Sequence, residues 1–420
     1  MKSRKIQIKD VCQLNASTIS KRDSKSSILY LDTGSLTRNK ITNLQSLNIG
    51  VDTIPSRAQR KVKDGTILYS VVRPLQEHFG IIRNPPENLI ASTGFTTIDV
   101  IDVDVNDQFL FYCLTQKSTT EFLHGIAVNN VSSYPSLNPD DIGNLIFEIP
   151  SEINDQIKLS EILLDIEKKI EINERVNLEI EQLLKLVFNF WFTQFDFEDS
   201  NGMPYKASGG EMVWSEILNR DIPIQWNVGS LSDISTILGG STPSKDDQSN
   251  FDSSGMPWIT PKDLSLNETK KFVSRGEVSL SQKGFNESSL KLMPKGSVLL
   301  SSRAPIGYMA IASNNLTTNQ GFKTFLPDKG YSTSFIYYAI KSSMPTILNY
   351  ASGSTFKEIS GSVLKDISIC LPPKAVADKF TTLALPYFEL QQHLEDESQA
   401  LESMRAWLLP LITNGHISVQ

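Results

Sequence analysis

Apolar residues in two stretches of this chain, 151–193 and 374–413, recur at alternating steps of four and three, a spacing that lines up side chains along one stripe of a helix. In the first stretch the stripe is Leu159, Leu163, Ile166, Ile170, Ile180, Leu184, Val187 and Trp191, with Asn173 and Asn177 at the two polar positions. In the second it is Phe380, Leu383, Tyr387, Leu390, Leu394, Leu401, Met404, Leu408 and Leu411, interrupted by Glu397. The pattern predicts coiled-coil seams. A helix of roughly 40 residues is ~60 Å long and poorly stable alone, so each needs a partner stripe. Antiparallel pairing of the two within one chain is the simplest arrangement, and parallel pairing between chains is the alternative. Pro386 is expected to kink the second helix or mark its beginning, and Pro410 to mark its end. The polar seam positions either fix register or are tolerated irregularities.

Before each helical stretch the pattern changes to short apolar runs punctuated by turn formers, which predicts strands. These runs repeat between the halves. Asp64-Gly65-Thr66-Ile67-Leu68-Tyr69-Ser70 leads into Val71-Val72-Arg73-Pro74, and Lys295-Gly296-Ser297-Val298-Leu299-Leu300-Ser301 leads into Ser302-Arg303-Ala304-Pro305. Ser92-Thr93-Gly94-Phe95 corresponds to Asn319-Gln320-Gly321-Phe322, and each module closes on a strand ending in proline, at Pro150 and Pro372. The fold class expected is α/β (α+β), with two mixed domains separated by two long helices in an antiparallel coiled coil of pseudo-twofold arrangement. The boundaries read as a first module at 1–150, a helix at 151–193, a linker at 194–223, a second module at 224–373 and a helix at 374–413.

The net charge of −7 argues against nucleic acid only until its distribution is considered. Residues 151–200 carry 5 basic and 12 acidic side chains, so the remainder is neutral overall. Within it, residues 1–100 hold 15 basic against 8 acidic groups and residues 251–350 hold 11 against 6. Two basic zones thus flank an acidic block. Cys12, Cys113 and Cys370 lack metal or disulfide spacing and read as buried small hydrophobes in a reducing compartment. No apolar run is long enough for a membrane span or a signal peptide, so a cytoplasmic protein is expected.

Enzyme chemistry finds little support. The four histidines, His78, His124, His393 and His416, have no metal-ligand spacing, and phosphate-cradle and nucleophile-elbow motifs are absent. Asn84-Pro85-Pro86-Glu87 resembles a methyltransferase tetrapeptide but has Glu87 where an aromatic is needed, and reads as a turn. Neither a catalytic residue, a metal nor a cofactor is expected.

Binding chemistry is better represented. Residues 55–63 pack four cations, Arg57, Arg60, Lys61 and Lys63, into nine positions, with Ser70, Arg73, Gln76, His78 and Thr93 on the loops that follow. The second half offers Ser241, Thr242, Ser244, Lys245, Thr260, Lys262, Ser301, Ser302, Arg303, Gln320, Ser354, Thr355 and Lys357. Arginine and glutamine pair with guanine and adenine edges, lysine with phosphate.

Together these stretches resemble specificity subunits of type I restriction-modification systems over essentially the whole chain. The resemblance rests on Tyr30-Leu31-Asp32-Thr33-Gly34-Ser35-Leu36, Pro55-Ser56-Arg57-Ala58, Ser92-Thr93-Gly94-Phe95, Gly202-Met203-Pro204-Tyr205-Lys206-Ala207-Ser208-Gly209-Gly210, Gly240-Ser241-Thr242-Pro243-Ser244, Pro257-Trp258-Ile259 and Ser301-Ser302-Arg303-Ala304-Pro305. It implies a non-enzymatic subunit with two target-recognition domains, each reading half of an interrupted site in double-stranded DNA, and helices that set the spacer. It also implies two methyltransferase subunits as partners, with restriction subunits joining them. The family's Glu-Gln after the closing proline survives as Asp155-Gln156 in the first half only, since Ala375-Val376-Ala377-Asp378 has no glutamine. A coiled-coil protein-interaction scaffold without a DNA role is the alternative.

Overall fold

The structure is a computed structural model that describes residues 2–20, 26–130, 135–265, 270–303, 305–351, 357–415 and 417. The chain forms two compact units, one of Met1–Lys169 with Ala400–Gln420 and one of Ile170–Gln399.

The first unit is built on two four-stranded sheets. One has the order Gln45–Asn48, Ser27–Leu31, Leu89–Ser92, Ala58–Lys61, and the other Cys12–Leu14, Phe95–Val100, Ile67–Ser70, Phe79–Ile81. Strand Ile67–Ser70 is buried along its whole length because cores cover both of its faces: Ile67 and Tyr69 enter one, Leu68 the other. Helix Asp107–Thr115 is likewise buried from Gln108 to Thr115, and its first turn is capped by Asn106, whose Oδ1 accepts from Phe109 N at 2.9 Å. Strand Ser3–Gln7 pairs antiparallel with the closing strand Ile146–Pro150.

The second unit repeats this plan. A five-stranded sheet runs Thr236–Gly239, Phe322–Leu326, Val298–Ser301, Met309–Ala312, Phe272–Val273, beside a three-stranded sheet of Val278–Leu280, Phe251–Ile259 and Thr317–Thr318. Strand Asn227–Ser230 pairs with the closing strand Ser368–Leu371, and the buried helix is Thr333–Ser342, capped by Ser332. The repeat extends to register. Leu31 pairs in parallel with Ala91 and Ile259 with Thr318, while Ser70 opposes Phe95 and Ser301 opposes Phe322 in antiparallel pairs.

Two long helices, Ile153–Phe188 and Lys374–Thr413, contribute to both units. They pack antiparallel. In the first unit Leu159 and Leu163 share a core with Leu409 and Ile412, and Arg405 Nε donates to Glu167 Oε1 at 2.7 Å. In the second, Asn173 Nδ2 donates to Glu397 Oε2 and Ser398 Oγ at 2.8 and 3.3 Å, Gln391 Nε2 donates to the Asn177 carbonyl at 3.2 Å, and the Phe188 and Phe380 rings stand 5.4 Å apart. Numbers rise on one helix as they fall on the other.

Two features of the C-terminal helix correct the sequence reading. Pro386 does not begin it and Pro410 does not end it, because the helix runs unbroken from Lys374 to Thr413. Both prolines face solvent, as do Thr382 and Ala406 four residues earlier, so each carbonyl deprived of its amide can be hydrated. The seam also has a different phase. Leu383, Leu390 and Met404 are 36, 43 and 49% exposed, and in the second unit the buried positions are Ala377, Phe380, Ala384, Phe388, Gln391, Glu395 and Ser398. Tyr387, Leu394, Leu401 and Leu408 are half-buried beside that stripe, as are Ile170, Asn177 and Val187 on the other helix, whereas Ile166, Asn173, Ile180, Leu184 and Trp191 are buried. The stripe keeps helical period by passing through polar residues.

Those polar positions hold the second module to the helices. Lys271, at the start of the edge strand, is 6% exposed and donates from Nζ to Glu181 Oε2 at 2.7 Å, Gln391 Oε1 at 2.9 Å and the Tyr338 hydroxyl at 3.2 Å. Its ammonium lies 3.8 Å from the Phe388 ring centroid. Lys341 Nζ completes the Glu181 site at 2.5 Å, and the Glu395 carboxylate accepts from the backbone N–H groups of Lys271 and Phe272 at 2.8 and 3.0 Å. Burial pulls the Lys271 ammonium down to about 8, opposed by Glu181, and pushes the Glu395 carboxyl up to about 7. Burial raises Glu181 too, but Lys271 and Lys341 hold it below the ordinary carboxylate value.

In the first unit the helix start is tied down by Gln156, which is fully buried. Its Nε2 donates to the carbonyls of Asp104 and Pro150 at 2.9 and 2.8 Å, and its Oε1 accepts from Asn106 N at 2.8 Å. Four residues on, Ser160 Oγ reaches the capping Asn106 at 3.4 Å. In the second unit Thr381 Oγ1 contacts the capping Ser332 at 2.8 Å, and the residue four before it is the buried Ala377.

The segment after the first long helix opens with a π turn, Asn189–Thr193, and contributes Phe195 and Phe197 to the core around Trp226. Arg220 covers the Phe195 ring at 4.4 Å. Cys12 and Cys113 are buried and unpaired, and Cys370 is half-buried.

Candidate nucleic-acid interface

Strand register decides which loops meet. In the first unit the parallel strands Ser27–Leu31 and Leu89–Ser92 end side by side, and strand Ile67–Ser70 ends against the start of Phe95–Val100. Asp32–Thr33, Arg57, Val71–Arg73 and Thr93–Gly94 are therefore neighbours. Thr93 N donates to the Arg57 carbonyl at 2.8 Å and Val71 N to that of Gly94 at 3.0 Å. The Tyr30 hydroxyl donates to Asp32 Oδ1 at 3.0 Å, and burial raises its pKa, with Ser92 opposing and Asp32 reinforcing. Arg57 and Arg73 are exposed. Arg60 is half-buried, with its Nε enclosed and unpartnered, and desolvation lowers its pKa.

The second unit brings together the corresponding loops. Asn319 N donates to the Ile259 carbonyl at 3.0 Å, Ser241 N to that of Thr318 at 3.0 Å, and Ser302 N to that of Gly321 at 2.8 Å. Trp258 Nε1 fixes the Ser241 carbonyl at 3.0 Å, and Thr242 Oγ1 donates to Gln320 Oε1. The approach is close enough that a Cβ on Gly240 would lie 2.2 Å from the Thr318 carbonyl oxygen. Arg303 and Glu358 form an isolated antiparallel bridge, and Ile359 N donates to the Ser302 carbonyl at 2.9 Å. Ser241, Thr242, Thr260, Arg303 and Gln320 thus converge on one loop cluster.

Several expected contact residues have other tasks. Ser70, Ser301 and Ser302 are buried, and their hydroxyls donate to the carbonyls of Val72, Pro305 and Gly321 at 3.0, 2.8 and 3.1 Å. They shape the loops from within, which corrects their reading as surface contacts. The Thr260 hydroxyl donates to Asp263 Oδ2 at 2.7 Å, and Lys262 forms an exposed ion pair with Glu277 at 2.6 Å. His78 Nδ1 is engaged by the Leu36 carbonyl at 2.8 Å and Thr37 Oγ1 at 2.9 Å. Gln76, Ser244, Lys245 and Lys357 are exposed, Thr93 and Lys61 half-buried, and Ser354 and Thr355 lie outside the described residues.

The loop clusters also take in Asp32, Asn319, Lys323 and Glu358, which sequence reasoning did not single out. The first sat in a quoted motif without a chemical role. Lys323 sits in a strand, where alternation alone suggests an ordinary solvated side chain. Among the described residues no cluster of His, Cys, Asp and Glu could hold a metal, and no helix is long and apolar enough to cross a membrane.

The family described as "Type I restriction modification DNA specificity domain" matches residues 2–182 and 223–395. The chain is 27% identical to the type I restriction enzyme HindI specificity subunit of Haemophilus influenzae, over 93% of this chain and 94% of that one. It is 40% identical to the MjaIX specificity subunit of Methanocaldococcus jannaschii over 44% of this chain and 42% of the relative. In fold it is similar to the crystal structure of a type I restriction-modification S subunit from M. genitalium, with a TM-score of 0.58, 14% identity and coverage of 98% and 96%.

Proposed function

Because the chain belongs to the type I restriction modification DNA specificity family, we propose that it is the sequence-specific DNA-recognition subunit of a type I restriction-modification complex, without catalysis of its own. Residues 1–150 and 224–373 act as target-recognition domains, each reading one half of a bipartite site. The helices 151–193 and 374–413 carry them at a set separation and dock two methyltransferase subunits, with 194–223 as the connection. Restriction subunits join the same assembly, in the cytoplasm.

The observation that carries this reading is the repeated loop cluster: the same strand ends, with Val71 N hydrogen-bonded to Gly94 and Ser302 N to the equivalent Gly321, present different side chains in the two halves. A shared scaffold with unlike tips suits two half-sites of unlike sequence. Each tip enters the major groove, where all four base pairs are distinguishable, and surrounding Lys and Arg bind phosphate.

Co-expression with the methyltransferase partner, followed by genome-wide mapping of methylated adenine, tests this. A bipartite motif is expected, and exchange of residues 1–150 for another such domain alters one half only. Lengthening both helices by one heptad, ~10 Å, lengthens the spacer by about three base pairs. An unchanged spacer refutes the role of the helices in setting it, and duplex binding that is absent at every salt concentration favours the protein-interaction scaffold.

A further inference from the structure

The second loop cluster draws charged residues from three chain segments, Arg303, Lys323 and Glu358. Arg303 and Glu358 are directly opposed in their antiparallel bridge, so their side chains leave the same face. Lys323 lies on the adjoining strand, opposite Leu300 and one residue beyond Phe322, the partner of Ser301. It is half-buried, and among the described residues its ammonium has no hydrogen-bond or ion-pair partner. Its stem runs beside the backbone that follows Glu358, since a Cβ on Gly361 would lie 3.6 Å from Lys323 Cε, and burial lowers its pKa, with Glu358 opposing and Arg303 reinforcing. An ammonium that loses water without gaining a carboxylate contact is unfavourable in the free protein and becomes favourable when a ligand acceptor meets it.

The ligand acceptor could belong to phosphate or to a base, and Glu358 decides between them. A carboxylate repels phosphate, but it accepts from a base amino group. The major-groove edge of a G·C pair offers the N7 and O6 acceptors of guanine beside the N4 amino donor of cytosine. Two cations and one carboxylate present the complementary set. We infer that Arg303, Lys323 and Glu358 together read a G·C pair in the half-site recognised by the second module, which makes Lys323 and Glu358 specificity-determining residues. This rests on the recognition function proposed above.

The full chain, co-expressed with its methyltransferase partner, tests it through the methylated-adenine motif. The unsubstituted chain is expected to yield a bipartite motif with a specified G·C pair in the half that exchange of residues 1–150 leaves unaltered. Lys323→Met and Glu358→Gln each relax that one position, lowering discrimination about ten- to hundredfold, while the other half stays fixed. Lys323→Arg keeps the guanine preference, and Lys291→Met, at an exposed lysine, changes nothing. The inference is overturned if Lys323→Met keeps the same motif with uniformly weaker binding and a smaller salt slope, the signature of a phosphate contact, or if no G·C pair is specified there. Should Lys323→Met fail to fold in a thermal melt, Glu358→Gln and Lys323→Arg still decide. An unsubstituted chain that directs no bipartite motif refutes the recognition function itself.

Discussion

The Tyr112 hydroxyl donates to Glu167 Oε2 at 2.9 Å, and Arg405 Nε donates to the other oxygen of the same carboxylate. Tyr112 is the sixth residue after the capping Asn106, and in the second unit Tyr338, the sixth after the capping Ser332, donates to Glu181 Oε2 at 2.8 Å. Each buried module helix therefore meets a glutamate of the first long helix through a tyrosine, and the glutamates are paired with cations, Glu167 with Arg405 and Glu181 with both Lys271 and Lys341. Tyr112→Phe is expected to cost about 1 kcal/mol, because one hydrogen bond is lost while Arg405 still satisfies the carboxylate. Urea unfolding measures it, and a change below about 0.3 kcal/mol would show the bond to be dispensable.

Lys271→Met should be more damaging. It leaves Gln391 and one Glu181 oxygen without the ammonium they share, although Lys341 remains. A loss of about 3 kcal/mol is expected, near the lower end for breaking a buried charge pair. A variant with an unchanged denaturation midpoint would show that the Phe388 face and the apolar stem alone hold this edge strand.

Glu395 gives stability a pH dependence. Its carboxyl lies near 7 in the fold against an ordinary 4.5, so between those values the folded chain keeps a proton that the unfolded chain releases. The stabilisation is complete below about 4.5 and is lost as pH rises through 7. Glu395→Gln should flatten the curve of unfolding free energy in that window. Parallel curves for the two proteins would contradict this assignment.

Gly240→Ala puts a Cβ 2.2 Å from the Thr318 carbonyl oxygen and 2.3 Å from that of Asn319, so backbone must shift to admit it. A destabilisation of about 2 kcal/mol is expected by analogy with overpacking. The second half of the methylated motif should degrade before the first, and equal degradation of both halves would place the effect elsewhere.

Arg57 is exposed, and only its backbone is tied to the loop cluster by a hydrogen bond among those described. Arg57→Gln should lower the slope of log K against log salt by about one without changing the recognised sequence, if the side chain binds phosphate. An altered motif would move it to the base-reading group.

Much of this architecture was legible in the chain because it is written twice. The runs Asp64 to Ser70 and Lys295 to Ser301 announce equivalent strands, and the closing prolines mark where the long helices follow. The phase of the second helix was not legible, since its buried stripe passes through Gln391, Glu395 and Ser398, and their burial follows from Lys271 and Asn173, which are remote in sequence. Apolar periodicity selects Leu383, Leu390 and Met404 instead. For the site, composition picks out loops but cannot tell a serine that shapes a loop from one that touches a ligand. Ser70, Ser301 and Ser302 needed their hydrogen-bond partners to be placed, and Glu358 needed the bridge that sets it opposite Arg303.

Gln156 bonds three backbone groups of the first module, whereas the corresponding slot in the second unit holds only the methyl of Ala377. A side chain that grips carbonyls and an amide at once removes the fraying that a helix end ordinarily enjoys. The first module and the start of its helix are thus joined by a side-chain clasp that the second module, at the corresponding position, does without.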